Sequence, residues 1–194
     1  MDIFTRAKEI LLNPKSEWET VKTESTSLQD LFTKYAIILA AIPAVAGFIG
    51  YSVFGMNMGI ASFRMPIGTG FGHAVFSYIL GLIGVYIIGY VIDFLAPTFG
   101  STKDLVQSMK VSVYSATASW VGGIFKIIPA LSILTLLAGL YGLYLLYLGL
   151  RTVKDVPQEK MIGYFISVII ITIVIYMIVG AITTSIFFGA HMMR

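Results

Sequence analysis

The 194-residue sequence contains no cysteine and few charged residues. Without cysteine, the chain can form no disulfide, no thiolate nucleophile and no cysteine-ligated metal centre. Charged residues make up only 12% of the chain and hydrophobic residues 57%, whereas a typical globular domain is about one quarter charged. This composition excludes an ordinary soluble domain and predicts an integral membrane protein.

Patterns that would indicate nucleic-acid binding, catalysis or a cofactor are also missing. The net charge is only +3 and no basic patch stands out, so nucleic acid is not an expected partner. The sequence has no Gly-x-Ser-x-Gly, His-Glu-x-x-His or Walker motif. His73 and His191 both fall at predicted outer span ends, and Asp93 lies about 30 Å from His73 along one helix. We therefore expect no enzyme activity, metal or cofactor.

Five apolar stretches are long enough to cross a bilayer, which needs about 20 residues of helix. They cover about 35–54, 71–95, 106–125, 128–150 and 161–188. The third needs the turn that contains Lys110, whose side chain would reach back to the interface. Lys126 and Pro129 suit a tight turn between the third and fourth spans. The fold class predicted is an all-α, polytopic membrane bundle of five transmembrane helices.

The distribution of lysine and arginine predicts the orientation, because cytoplasmic loops carry the excess of these residues. With five spans and a cytoplasmic N-terminus, ten lysines and arginines lie inside and three lie outside, namely Arg64, Lys126 and Arg194. If the third span did not cross, the ratio would fall to seven against six. The sequence thus favours a multi-pass protein of a prokaryotic inner membrane, with its C-terminus outside.

Residues 1–34 precede the first span and predict two short amphipathic helices on the cytoplasmic surface. Asn13 and Pro14 separate them as an N-cap and a first-turn proline. The first apolar face consists of Ile3, Phe4, Ala7, Ile10 and Leu11, and the second of Trp18 and Val21. The alternative is an arm that docks a protein partner. Residues 35–190 then form the transmembrane domain, and 191–194 a short outer tail.

Small and polar residues form stripes at helical spacing within three of the spans. In the third, Ser112, Ala116, Ser119 and Gly123 lie on one face, with Ser115 beside it. Similar stripes comprise Ala36, Ala40, Ala44 and Gly47 in the first span, and Ser77, Gly81 and Gly84 in the second. Small residues allow helices to approach closely in lipid, so leucine at Ser119 or Gly123 should disrupt the bundle. A solute path along the same faces is the alternative.

Buried polar side chains need partners inside the membrane. Asp93 lies near the cytoplasmic end of the second span, and Lys110 is its expected partner. A structural ion pair is favoured over a proton relay, which needs further titratable groups at mid-membrane depth. Tyr141 lies about 15 Å along the helix from Arg151, so its hydroxyl must find a partner within the bundle.

The outer surface of the predicted topology carries cations without carboxylates. His73 follows the glycine-rich residues 68–72, and Lys126 ends the third span. Together with Arg64, they predict a shallow outer-leaflet site for an anionic group such as a lipid phosphate. The alternative is that these residues only anchor span ends at the interface.

Three segments resemble the bacterial branch of the Yip1 domain family: "AKEILLNPKSEWETVKTE" before the first span, "VYSATASW" in the third and "LYLLYLGLRTVKDVPQEK" after the fourth. Tyr114 and Ser115 are similar to the family's Tyr-Ser signature. Asp30, Leu31 and Phe32 resemble the start of an Asp-Leu-aromatic-Gly-Pro motif of eukaryotic relatives, but Thr33 and Lys34 replace Gly-Pro. The resemblance implies a five-span domain with a cytoplasmic N-terminus. Eukaryotic relatives bind Rab-type GTPases through longer N-termini, so that partner does not carry over.

Two functions remain open from the sequence. The first is a non-catalytic scaffold or adaptor that organises membrane lipid or binds a protein partner through its N-terminal helices. The second is a small-solute permease or channel, which needs a continuous polar path. A dry, packed interior at Tyr141, Ser115 and Ser119 would count against a permease. The sequence leaves an oligomeric state open.

Overall fold

The computed structural model describes residues 2–57 and 62–187, and these residues are predominantly helical. The helices, in chain order, are α1 (Ile3–Leu12), α2 (Pro14–Thr23), α3 (Leu28–Leu31), α4 (Ile37–Ile49), α5 (Ile67–Leu95), α6 (Leu105–Gly122), α7 (Ser132–Val153) and α8 (Gln158–Phe187). Two short strands, β1 (Met56–Asn57) and β2 (Ser62–Phe63), pair antiparallel between α4 and α5.

Within the described part of the chain, four helical segments are long and apolar enough to cross a membrane: Leu28–Phe54, Ile67–Phe99, Ser132–Val153 and Gln158–Phe187. The first of these segments joins α3 and α4 through the π-helical turn Phe32–Ala36. It ends in a second π-helical turn, Gly50–Phe54. The predicted third span corresponds to α6, which is not among the four because lysine and hydroxyl side chains lower its hydropathy. A count of five crossings stays a prediction.

Helix α6 occupies the centre of the bundle and is buried on nearly all sides. It runs antiparallel to α5 and α7: Met109 lies against Gly89 near the start of α6, and Gly122 lies against Ala138 at its end. The Ser112 hydroxyl donates to the Val85 carbonyl of α5 at 2.6 Å.

Helix α6 runs parallel to α4. Tyr35 contacts Tyr114 near one end of the two helices, and Pro43 contacts Gly123 further along. A polar helix can lie at membrane depth because its neighbours surround it.

Helices α1 and α2 form a pair that packs beside α6 and α7. Trp18 of α2 has no exposed surface and lies against Gly149 of α7, which Val111 of α6 also contacts. The Tyr141 hydroxyl of α7 donates to the Leu11 carbonyl of α1 at 2.8 Å, so this pair flanks α7 from its middle, at Tyr141, to Gly149 near its end. Phe4, in contrast, is 79% exposed, although the sequence placed it on the apolar face with Ile10. The predicted position at the cytoplasmic membrane surface is not tested by this packing.

The starts of α5 and α7 differ from the sequence prediction. Helix α5 begins at Ile67, so the glycine-rich residues 68–72 are its first turns and not a loop, and the Gly70 N–H donates to the Pro66 carbonyl at 2.8 Å. Helix α7 begins at Ser132 because the 3-10 turns Gly123–Ile127 and Pro129–Leu131 form the connection from α6. The end of the fifth predicted span at Phe188, together with His191 and Arg194, lies outside the described residues.

Candidate functional site

A cavity of about 690 Å³ lies between the long helices. Its size falls within the range of about 300–1,000 Å³ that is typical of small-molecule sites. Side chains from α4, α5, α6, α7 and α8 all contribute to its wall. The cavity is therefore a feature of the whole bundle and not a groove between two helices.

The small-residue stripes predicted as packing faces line much of this cavity. They contribute Ala40, Ala44 and Gly47 from α4, Ser77 and Gly81 from α5, and Ser112, Ser115, Ala116 and Ser119 from α6. A methyl group at Gly81 would meet no atom within 4 Å. Gly123 differs, since a methyl group there would lie 2.5 Å from the Pro43 Cβ. One stripe of α6 thus borders open space at Ser119 and a close helix contact at Gly123.

Hydroxyl groups in the cavity wall fall into two sets. Tyr78 donates to the Ile37 carbonyl at 2.9 Å, and Thr135 donates to the Gly122 carbonyl at 3.3 Å. The Ser115 and Thr172 hydroxyls are buried and have no hydrogen-bond partner within the described part of the chain. Buried polar groups are nearly always hydrogen-bonded, so each of these hydroxyls is suited to a bound molecule or water.

Lys126 and His73 line the same end of the cavity. The predicted anionic site requires these residues to lie on one side of the bundle, and Tyr51 lies beside both of them. Its ring centre is 6.4 Å from that of His73, and its ring and the Lys126 side chain both lie within 4 Å of the position of a Cβ on Gly47. The Lys126 carbonyl lies where a Cβ of Gly50 would be, 2.0 Å away, so only glycine allows this approach. Arg64 is exposed and is not part of the cavity wall.

The cavity does not continue through the bundle toward α1 and α2. Its innermost wall includes Val85, Ile88 and Leu146. The next turns are filled by side chains with no exposed surface, including Ile92, Met109 and Leu150. Toward the side, Leu136 of α7 and Ile173 of α8 line the cavity and are also 58% and 52% exposed. The cavity therefore opens at the side of the bundle, between α7 and α8.

A buried cluster of charges joins α1, α2 and α6. Arg6 is only 3% exposed, forms ion pairs with Glu17 and Glu24, and lies 5.4 Å from the centre of the Tyr114 ring. Burial raises the pKa of the Glu17 carboxyl, and the Arg6 charge opposes this shift. Arg6 was not among the residues predicted from the sequence. Its spacing from Ile3 and Ile10 nevertheless places it on the apolar face of α1.

Asp93 and Lys110 do not form the predicted ion pair. The Lys110 ammonium donates to the Val21 carbonyl at 2.9 Å and also to the Glu24 carbonyl, which ties α6 to the end of α2. Asp93 instead lies 3.9 Å from the Lys154 ammonium and accepts from the Ser108 hydroxyl at 3.1 Å. Burial lowers the pKa of Lys154, and the charges of Asp93 and Asp104 oppose this shift. The two polar groups thus stabilise two different helix contacts.

Aromatic residues named from the sequence have structural partners. Tyr114 packs edge-to-face against Tyr35 and Trp18, with ring centres 4.9 and 6.3 Å apart. Tyr141 finds its hydroxyl partner on α1, as described above. Among residues 2–57 and 62–187, no group of three or more His, Asp or Glu residues could hold a metal ion.

Long apolar helices around a buried polar helix define a helical integral membrane protein. Residues 8–180 match the Yip1 domain, so the chain belongs to the Yip1 domain family. It is 26% identical over 175 residues to the inner membrane protein YohC of Escherichia coli strain K12, an alignment that covers 88% of this chain and 90% of that protein. The protein of the same name from E. coli O6:H1 strain CFT073 has the same identity and coverage. No solved structure matches the chain.

Proposed function

We propose that this Yip1-family protein is a non-catalytic, multi-pass protein of the inner membrane that acts by binding. In this proposal it is a scaffold or adaptor that organises membrane lipid or a protein partner. Its N-terminus and the 151–160 loop are cytoplasmic, and its C-terminus is outside. The E. coli relative, whose name describes an inner membrane protein, supports the membrane assigned here.

The path of α6 supports five crossings. Its 18 residues span about 27 Å of helix, and the 3-10 turn that follows extends it to Lys126. Antiparallel contacts with α5 and α7 run along this length, from Met109 to Gly122. If α6 entered the membrane and returned to the same side, it would not contact α5 and α7 in this antiparallel order along its whole length.

The closed inner end of the cavity is the observation that favours a binding protein over a permease or channel. A channel needs a continuous path across the membrane, and buried apolar side chains such as Met109 and Leu150 fill the inner half of this bundle. The α1–α2 pair packs over the same half. The cavity itself, with its unpartnered hydroxyls, is the observation that favours the permease alternative.

Recovery of the protein in native lipid tests this proposal. The full chain is extracted into polymer-bounded nanodiscs, and bound lipid and protein are identified by mass spectrometry. We expect a lipid class or a protein at constant stoichiometry, enriched over a size-matched membrane protein prepared in parallel. Saturable solute flux into proteoliposomes, with no enrichment of lipid or protein, would replace the scaffold by the permease.

A further inference from the structure

We propose that the cavity is a binding site for one anionic amphiphile, whose phosphate-type head lies at Lys126 and whose apolar chain extends inward along α5 and α6. This inference rests on the proposed binding function and names the chemistry of its ligand. The site differs from the shallow surface site that the sequence indicated, because Arg64 is outside it and the chain-binding part is deep.

The head position follows from the surroundings of Lys126. Within residues 2–57 and 62–187, the Lys126 ammonium has no hydrogen bond to a protein acceptor and no ion pair with a carboxylate. No Asp or Glu occurs in 31–92, 105–154 or 160–194, which together contain every residue of the cavity wall. An unpaired ammonium at the end of an apolar cavity is costly, and a bound anion would remove that cost.

The chain position follows from the length and lining of the cavity. Along α5, the wall extends from His73 to Ile88, which corresponds to about 22 Å of helix. Apart from its hydroxyls, the inner part of the wall is formed by apolar and small side chains, and its inner end is closed by Val85 and Leu146. This shape suits an extended hydrocarbon chain with one charged end.

The wall also carries an unsatisfied polar atom. Ser115 is only 7% exposed, lines the cavity, and its hydroxyl has no partner among the described residues. This atom is independent of Lys126 and needs a hydrogen-bond partner that enters the cavity.

The entry route lies between α7 and α8. Leu136, Ile173 and Tyr176 line the cavity and are between 44% and 58% exposed, so the opening faces the surroundings of the helices. An amphiphile dissolved in the bilayer could enter sideways through this gap. Its head would stay at the level of Lys126 while its chain left the surrounding lipid and packed against the apolar wall.

The two tryptophans allow a direct test. Trp120 lines the cavity, whereas Trp18 is fully buried between α2 and α7 and is not part of its wall. The probe is hexadecyl phosphate with two bromine atoms in the middle of its chain, which quench nearby tryptophan. It is titrated into the full-length protein in dodecyl maltoside micelles. We expect saturable quenching that is lost in Trp120→Phe, where only Trp18 remains.

Matched variants test the head and the chain separately. Lys126→Gln should weaken apparent binding of the probe by about tenfold or more, because it removes a charge-assisted contact. Arg64→Gln removes an exposed cation outside the cavity and should leave binding unchanged. Gly81→Leu fills the cavity and should abolish saturable quenching. Gly180→Leu is its control, since both glycines have no atom within 4 Å of a new Cβ and Gly180 is outside the wall.

Three results would overturn the proposal. Equal quenching by brominated hexadecanol would show that the anionic head is not recognised. Displacement of the probe by millimolar inorganic phosphate would make the site one for free phosphate. If Lys126→Gln and Arg64→Gln weakened binding of the probe equally, the binding would depend only on the overall charge of the protein. Enrichment of lipid or protein in nanodiscs is a separate measurement, so failure of this site is distinguishable from failure of the proposed function.

Discussion

At the scale of single residues, neighbours on one predicted stripe have opposite surroundings. Ser119 and Gly123 are both on the small-residue face of α6, and the sequence suggested the same role for both. The Ser119 side chain lines the cavity, whereas Gly123 lies directly against Pro43 of α4. The cost of adding volume therefore depends on what faces each position and not on the stripe itself.

Replacing Gly123 by alanine should lower the stability of the bundle by about 1–3 kcal/mol, because the new methyl group would lie 2.5 Å from the Pro43 Cβ. Thermal unfolding in detergent measures this change. Gly81→Ala is the control, since its methyl group enters open space and alanine favours the helix. If both variants unfold at the temperature of the parent, the close contact between α4 and the end of α6 does not exist.

At the scale of secondary-structure elements, the N-terminal helices are part of the bundle. Trp18 fills the space above Gly149, where a Cβ would lie 2.8 Å from the indole ring. Lys110 connects α6 to the last carbonyls around α2, and Gln107 donates to the Lys22 carbonyl at 2.9 Å. These contacts hold α1 and α2 in place through buried apolar surface and hydrogen bonds to backbone carbonyls.

Trp18→Ala should release the α1–α2 pair, because truncation of a buried tryptophan costs about 3–5 kcal/mol. We expect faster tryptic cleavage after Lys22 in the variant than in the parent, measured in detergent at equal protease concentration. Leu12→Ala removes a 67% exposed side chain of α1 and should leave the cleavage rate unchanged. Equal cleavage rates in the parent and in Trp18→Ala would mean that this helix pair is not held by Trp18.

At the scale of the whole molecule, one half of the helical bundle is tightly packed and the other half contains the cavity. Side chains around Trp18, Met109 and Leu150 fill the half that contains the N-terminal helices. The other half contains the cavity with Lys126 at its end. All ten carboxylate residues lie at the filled end or beyond it in the proposed topology, so the electrostatic asymmetry and the packing asymmetry coincide.

The absence of cysteine allows the topology to be measured with single introduced thiols. In spheroplasts, a membrane-impermeant maleimide should label a cysteine added after Arg194 and should not label Glu159→Cys, which lies in the proposed cytoplasmic loop. Glu159→Cys should react only after the membrane is opened. Protection of the thiol after Arg194 in intact spheroplasts would exclude an odd number of crossings with the N-terminus inside.

The sequence by itself determined the class of protein and most of the helices. Apolar stretches of about 20 residues must satisfy their backbone hydrogen bonds internally in lipid, so four of the predicted spans appear as long apolar helices. The sequence also drew attention to Lys126 and His73, because the proposed topology leaves outer cations without carboxylates. It indicated the small-residue faces because periodicity shows which residues share one side of a helix.

Only the tertiary structure decided what each face meets. Periodicity does not specify which helix lies opposite, or how far away, so the same small residues could border a cavity or a close contact. The partners of the buried charges could not be predicted from the sequence either. Lys110 donates to a carbonyl of α2 that is 89 residues away in the chain, and Asp93 pairs with Lys154. A buried ion takes whichever acceptor the packed chain brings within reach, and that distance is a property of the fold.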